Sequence, residues 1–347
     1  MSTATAIAGN AGVTDASPWH DRLRQSSVLR EFALVPAIAL MVFLGWWFSA
    51  DFLSWNNIVN NVLVTSAVLG VVVVAESIIL ISGYFDLSLE SIVGFCPMLA
   101  AWLIVPQAAG GLGVQLSPAL GILVGFVAAG VVGVINGLLV SRLKLNAFIV
   151  TLAMLTLLRG ITMGLSGGQT LSSLPSVMRF LGTASIFGIS IQVWLFLAIF
   201  AVAWTFMRSH PIGRKLYAMG GNAAAAEASG INTKRLTLAV FVVGALLACF
   251  AGFMLTGRIA SVTSSQGDGL IFTVFAAAVI GGISLNGGKG SMVGALLGVL
   301  MLGLIQNILT LSRVPSYWVQ ATYGLIILAA LIVNYLIGAR ETTRRQV

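Results

Sequence analysis

The chain alternates long apolar runs with short polar interruptions. Runs long enough to span a bilayer fall at 32–50, 58–82, 92–107, 118–140, 147–166, 191–207, 236–257, 271–285, 291–311 and 317–338. At about 20 residues per crossing, they predict about ten transmembrane helices with both termini on one side of the membrane. The runs at 92–107 and 271–285 are short. The longest interruption between runs is 208–237, RSHPIGRKLYAMGGNAAAAEASGINTKRLT, which carries Arg208, His210, Arg214, Lys215, Glu227, Lys234 and Arg235. Within it, Asn222 is a good helix N-cap. Ala223, Ala224, Ala225, Ala226, Glu227 and Ala228 favour helix. Gly230 stands where a glycine closes a helix, and Gly220 and Gly221 are expected to set the turn leading in. The pattern predicts a helix of about two turns in a water-exposed loop. So short a helix is marginal alone in water, so it needs tertiary packing or a partner protein.

Composition and charge sharpen this picture. Of 347 residues, 58% are hydrophobic and 8% charged, against about 25% charged in soluble domains. The fold class is therefore an all-α polytopic membrane protein. With the N-terminus inside, 14 of the 18 basic residues fall on the cytoplasmic side, which is the positive-inside signature. That asymmetry accounts for the net charge of +8 without nucleic acid, and it makes 208–237 cytoplasmic. Arg159, Arg179, Arg258 and Arg313 fall elsewhere. The domain reading is a cytoplasmic tail at 1–31, a membrane domain at 32–338 and a cytoplasmic tail at 339–347. The first apolar run begins too far in for a cleavable signal peptide. Cys96 and Cys249 lie in apolar runs and form no metal spacing. The 39 glycines suit close helix packing and broken helices in lipid.

Two breaks interrupt the apolar runs. The first, SGYFDLSLES (82–91), places Asp86, Ser88 and Glu90 between spans. Ionisable groups at membrane depth face a cavity or a partner, so these are candidates for a translocation pathway; Asp86 is equally suited to cap the following helix. Glu76 lies inside the second span and is expected to be neutral or paired, lining a cavity or packed between helices. Arg159, inside the fifth span, is a conceivable partner for it. Asn136, Asn146, Gln306 and Asn307 either meet substrate hydroxyls or tie helices together. The second break, GGISLNGGKGS (281–291), has the glycines and lysine of a phosphate loop. It lacks the first glycine of that motif and the hydroxyl residue after Lys289, so no nucleotide site is expected. Ser91-Ile92-Val93-Gly94 after the first break echoes Ser291-Met292-Val293-Gly294 in the second. Paired interrupted segments are a feature of transport folds.

Three stretches carry a family resemblance: GYFDLSLES (83–91), VINGLLVSRLKLNAFIVTLAMLTLLRGITMGLSGGQ (134–169), and GRKLYAMGGNAAAAEASGI (213–231) with AAAVIGGISLNGGKGSMVGALLGVLMLGLIQNIL (276–309). The chain resembles the ribose-type permease subunits of bacterial ABC importers for monosaccharides, in the branched-chain/ribose permease superfamily, over about residues 55–335. Tyr84 and Glu90 depart from that pattern by replacing glycines, and Glu76 stands where such permeases carry an uncharged residue. The resemblance implies a type II importer permease fold in the cytoplasmic (inner) membrane, paired with a second copy or a paralogue. It implies a separate cytoplasmic ATPase that uses ATP and Mg, an extracytoplasmic sugar-binding protein, and no cofactor or catalysis on this chain. The helix after Asn222 would be the coupling helix that docks on the ATPase. Two other readings compete: a permease for branched-chain amino acids or nucleosides, and a stand-alone secondary transporter with Glu76 or Asp86 as a proton site.

Overall fold

The computed structural model describes residues 34–315, 317–325, 328–329 and 332. The tails at 1–31 and 339–347, and the end of the last predicted span, lie outside the described residues. The elements are α1 (Val35–Phe48), α2 (Val64–Ile81), α3 (Ser88–Ile104), α4 (Pro118–Ser141), α5 (Ala147–Ser166), α6 (Ser176–Thr183), a two-residue β-hairpin (β1 Ser185–Ile186, β2 Ile189–Ser190), α7 (Ile191–Ser209), α8 (Pro211–Gly221), α9 (Ala223–Ala228), α10 (Thr233–Ile259), α11 (Leu270–Ile280) and α12 (Met292–Leu311). Among the described residues, the predicted spans from 32–50 to 291–311 each fall on helix, and residues 317–325 of the last are helical. Among the described residues six helical stretches are long and apolar enough to cross a membrane, and α1, α3 and α11 are shorter apolar helices.

The bundle is built around α2. A wide π-helical turn at Asn56–Leu63 leads into it, and every residue of α2 except Thr65 is buried. Its sequence is apolar on every side, from Val71–Val74 to Ile78–Ile81, which is the pattern of a helix enclosed by others rather than one with a solvated face. α7, α10, α11 and α12 pack around it. The most extensive helix pair is α4 with α10. Gly133 makes that approach close: a Cβ there would stand 2.7 Å from the Cα of Val242.

The span boundaries differ from expectation for local reasons. α3 begins at Ser88 because Asp86 accepts the Ser88 N–H at 2.9 Å, a helix-opening contact. α11 stops at Ile280 because Gly282, at φ +79°, closes it. The interruption at 208–237 holds two helices rather than one. The additional helix, α8, is opened by His210, whose Nδ1 accepts the Ile212 N–H at 3.2 Å, with Pro211 in the first turn. Its Gly213, Leu216 and Met219 are buried against the bundle.

Candidate functional site

Three chain segments meet where α2, α8 and the second break converge. α2 and α11 end in the same way. Gly83 (φ +87°) donates to Leu80 O and Tyr84 N–H to Ile79 O. Gly282 donates to Val279 O and Ile283 N–H to Ala278 O. Both are Schellman closures, in which a left-handed glycine lets the chain turn back and satisfy two terminal carbonyls. The two breaks are thus alike in backbone conformation.

The first break then meets the second through backbone alone. Gly288 N–H donates to Ile81 O at 2.9 Å. Gly220, near the end of α8, lies against the same carbonyl: a Cβ on it would stand 1.9 Å from Ile81 O and 2.7 Å from Gly288 N. A Cβ on Gly287 would fall 2.7 Å from both Gly220 O and the Cα of Gly83. Tyr217 OH of α8 donates to Gly290 O at 3.0 Å. Gly220 and Gly221 therefore end α8 rather than form the turn into the short helix, and that turn falls at Asn222.

The short helix itself is α9. Asn222 Oδ1 accepts the Ala225 N–H at 3.0 Å, and Gly230 (φ +81°) closes the helix with the N–H of Ile231 on Ala226 O. Ala223, Ala224, Ala225 and Glu227 are exposed, whereas Ala226 is buried against the bundle and belongs to the inner face. Glu227 also accepts from the hydroxyl of Thr233 at the start of α10.

A buried polar string lies beyond the junction. Glu76 Oε1 accepts the Asp86 N–H at 3.3 Å. Asp86 Oδ1 accepts from both the N–H and the hydroxyl of Ser88, and Asn136 Nδ2 donates to Ser88 Oγ at 3.0 Å. All four side chains are fully buried. The string ties α2, the first break, α3 and α4 together, and in this conformation none of the four meets solvent. Asn307 is buried too and exchanges two 2.8 Å hydrogen bonds with Asn57, so it fastens α12 to the lead-in of α2. Asn146 is exposed and caps α5 by accepting the Ile149 N–H.

Arg159 does not pair with Glu76. Its guanidinium donates to Glu90 Oε1 at 2.8 Å and to Asp268. Glu90 Oε2 in turn accepts the Ile271 N–H at 3.1 Å, at the start of α11. The turn 263–269 is held on α3 by Gln266, buried, whose amide donates to Val93 O and Gly252 O at 2.9 and 3.2 Å. Gln266, Asp268 and Asn57 were not singled out from sequence. The first two sit in SSQGDG (264–269), a polar glycine turn before an apolar run, the same signal that marked the two breaks.

Comparison with known proteins decides the family. Residues 58–331 match the family described as branched-chain amino acid transport system / permease component. The chain belongs to this permease family. It is similar to the ribose import permease of Haemophilus influenzae, 34% identical over 88% of this chain and 93% of the relative. It is similar to the L-arabinose ABC transporter permease of Azospirillum brasilense, 35% identical over 82% of this chain and 81% of the relative. The autoinducer 2 import system permease of Escherichia coli (strain HS) is 31% identical over 88% of this chain and 86% of its own length. No solved structure matches the chain.

The permease is therefore a multi-pass membrane component of a transport system rather than an enzyme. Its departures from the resemblance now have partners. Tyr84 packs its ring on Phe241 at 5.9 Å and accepts from Thr237 Oγ1 at 3.1 Å. Glu90 is matched by Arg159 and the start of α11, and Glu76 by the backbone of the first break.

Proposed function

We propose that this permease is the membrane subunit of an ATP-driven importer and forms the translocation pathway for a monosaccharide delivered by an extracytoplasmic binding protein. The observation that carries the reading is similarity, over more than four-fifths of each chain, to permeases named for ribose and L-arabinose. Two permeases, identical or paralogous, pair in the cytoplasmic membrane. Each crosses it about ten times over residues 32–338 with both termini inside, and a separate ATPase beneath them uses ATP and Mg. α9 is the coupling helix within the 208–237 loop. Its small side chains let a partner groove approach closely, and its caps at Asn222 and Gly230 let so short a helix persist.

The charged cluster supports a location for the pathway. Arg159 lies about 18 Å along α5 at 1.5 Å per residue, well inside the span, yet its side chain is 30% exposed and that of Asp268 is 45% exposed. Charges at that depth do not face hydrocarbon. They face water or the partner permease, so the pathway runs along this side of α5 and the turn before α11. Glu90 stands behind the pair. Glu76, Asp86, Ser88, Asn136 and Asn307 then act from within the wall, holding helices whose movement opens it. Few fixed charges apart from this pair fit a neutral, hydroxyl-rich cargo, since a charged cargo needs a matched charge to offset desolvation.

A permease for branched-chain amino acids is the second reading, favoured by the description of the family itself. Ligand screening of the binding protein encoded beside this permease separates the two: a monosaccharide supports the first, a branched-chain amino acid the second. The coupling role is tested with Ala225→Trp on the exposed face of α9 and Lys234→Gln at its rim. The tryptophan variant is expected to stay folded in the membrane, but to lose ATPase on co-purification or to hydrolyse ATP without substrate stimulation, while Lys234→Gln behaves as wild type. Wild-type behaviour of Ala225→Trp overturns the assignment.

A further inference from the structure

A cleft of about 370 Å³ opens between the end of α7, α8 and the start of α12, lined by Trp204, Met207, Arg208, Arg214, Tyr217 and the segment Gly290–Met292. That volume lies in the range of small-ligand sites, about 300–1,000 Å³. We propose that it binds the headgroup of an anionic phospholipid. The inference rests on the membrane location of the chain and is independent of the cargo and of ATPase coupling.

Charge comes first. Two guanidiniums line the cleft and no carboxylate does. Among the described residues neither Arg208 nor Arg214 forms an ion pair. Arg208 is held over the Trp204 ring, 5.5 Å from its centroid, and Arg214 donates to Ser209 O at 3.2 Å. Each uses a small part of the five donors a guanidinium offers, and the remainder suit the planar, bidentate recognition of a phosphate. The 20-residue helix α12 begins at the same cleft with Ser291 as its cap, adding the positive end of a helix dipole.

Depth chooses lipid over a soluble anion. Trp204 and Met207 belong to α7, which is apolar and long enough to span, and the cleft lies at its last turn. The α7 flank leading to it keeps Trp194, Leu197 and Trp204 exposed on one face, a wall along which acyl chains can run while the headgroup enters. A tryptophan beside two arginines at the end of a span is the composition of a membrane interface.

The cleft also has a position. One wall is α8, the other is the second break, and the Tyr217–Gly290 hydrogen bond crosses between them. A headgroup bound there joins the arm that carries α9 to the break that precedes α12.

The test compares the wild-type chain with an Arg208→Gln/Arg214→Gln double variant, and with Lys234→Gln as a basic change outside the cleft. Lipids retained after mild-detergent purification are read by native mass spectrometry. Thermal unfolding is then read with added phosphatidylglycerol, phosphatidylcholine or inorganic phosphate. The wild type is expected to retain phosphatidylglycerol over phosphatidylcholine and to gain thermal stability from phosphatidylglycerol alone. From the worth of two basic residues at an anionic surface, the double variant is expected to lose that preference by about 30-fold, while Lys234→Gln keeps it. Equal retention in the double variant and wild type overturns the proposal. So does equal stabilisation by inorganic phosphate, which makes the cleft a free-anion site, or loss of the arginines' effect unless ATPase is present, which makes it a protein-docking surface.

Discussion

Gly220 and Gly221 are adjacent, chemically identical and both near the end of α8, yet the structure predicts opposite outcomes when each becomes alanine. A Cβ on Gly220 meets Ile81 O at 1.9 Å and Gly288 N at 2.7 Å, and both are backbone atoms that cannot rotate away. Accommodating it forces α8 off the end of α2 or opens the 2.9 Å hydrogen bond between Gly288 and Ile81. Overpacking costs about 1–3 kcal/mol and the lost hydrogen bond about 0.5–1.5 kcal/mol, giving roughly 2–4 kcal/mol. A Cβ on Gly221 meets nothing within 4 Å, and alanine there gains part of the roughly 1 kcal/mol by which it exceeds glycine in helix propensity. The assay is thermal unfolding of the purified permease, with transport per ATP hydrolysed in the reconstituted complex. Gly220→Ala is expected to lower both the unfolding midpoint and the transport yield, and Gly221→Ala to leave the midpoint unchanged or raised. Equal midpoints for the two variants would refute the close approach and the junction built on it.

Glu90→Gln is expected to destabilise by about 1.5–3 kcal/mol, since it removes the charge from a nearly buried hydrogen-bond partner of Arg159. Asp268→Asn is expected to cost less than about 1 kcal/mol because that partner is half exposed; the reverse order in thermal unfolding would overturn the assignment of Glu90 as the anchor. Glu76→Gln keeps an oxygen for the Asp86 N–H, so fold and transport are expected to stay near wild type. Glu76→Leu orphans that N–H and is expected to cost about 1–3 kcal/mol, read by the same unfolding assay; equal effects of the two substitutions would show that the hydrogen bond does not matter.

What was legible in the sequence follows from range. Span positions depend on local hydropathy, and helix ends on single capping residues, so α5 and the closures at Asn222 and Gly230 were readable directly. α8 was hidden because its buried Gly213, Leu216 and Met219 are diluted by Arg214 and Lys215, and the eye is drawn to the alanines that follow. The partner of Arg159 was not readable, because Glu90 and Asp268 lie far from it in sequence and no local rule selects them over Glu76. The glycine junction was hidden for the same reason. Each of its glycines has a local use as a turn or helix end, and only the folded chain shows Gly83, Gly220 and Gly287 against one another.

That junction bears on how α9, if it is the coupling helix proposed above, would act on a bundle this large. α9 makes little contact with the core beyond Ala226. It meets α10 through Glu227 and Thr233 and continues from α8, which is anchored at two kinds of point: Leu216 and Met219 in the core, and Gly220 on the carbonyl of Ile81. Side-chain packing can slide as rotamers adjust, but backbone against backbone leaves no such slack. A displacement of α8 therefore reaches the end of α2 and the second break together, because Gly288 is hydrogen-bonded to that same carbonyl. From the end of α2 the polar string of Glu76, Asp86, Ser88 and Asn136 continues into α3 and α4, and Glu90 continues from α3 to Arg159 and the start of α11. Beyond the close approach of Gly220, these links are hydrogen bonds or an ion pair between residues of different elements. Glu76 and Glu90, two carboxylates that depart from the pattern the chain resembles, are both links in this line.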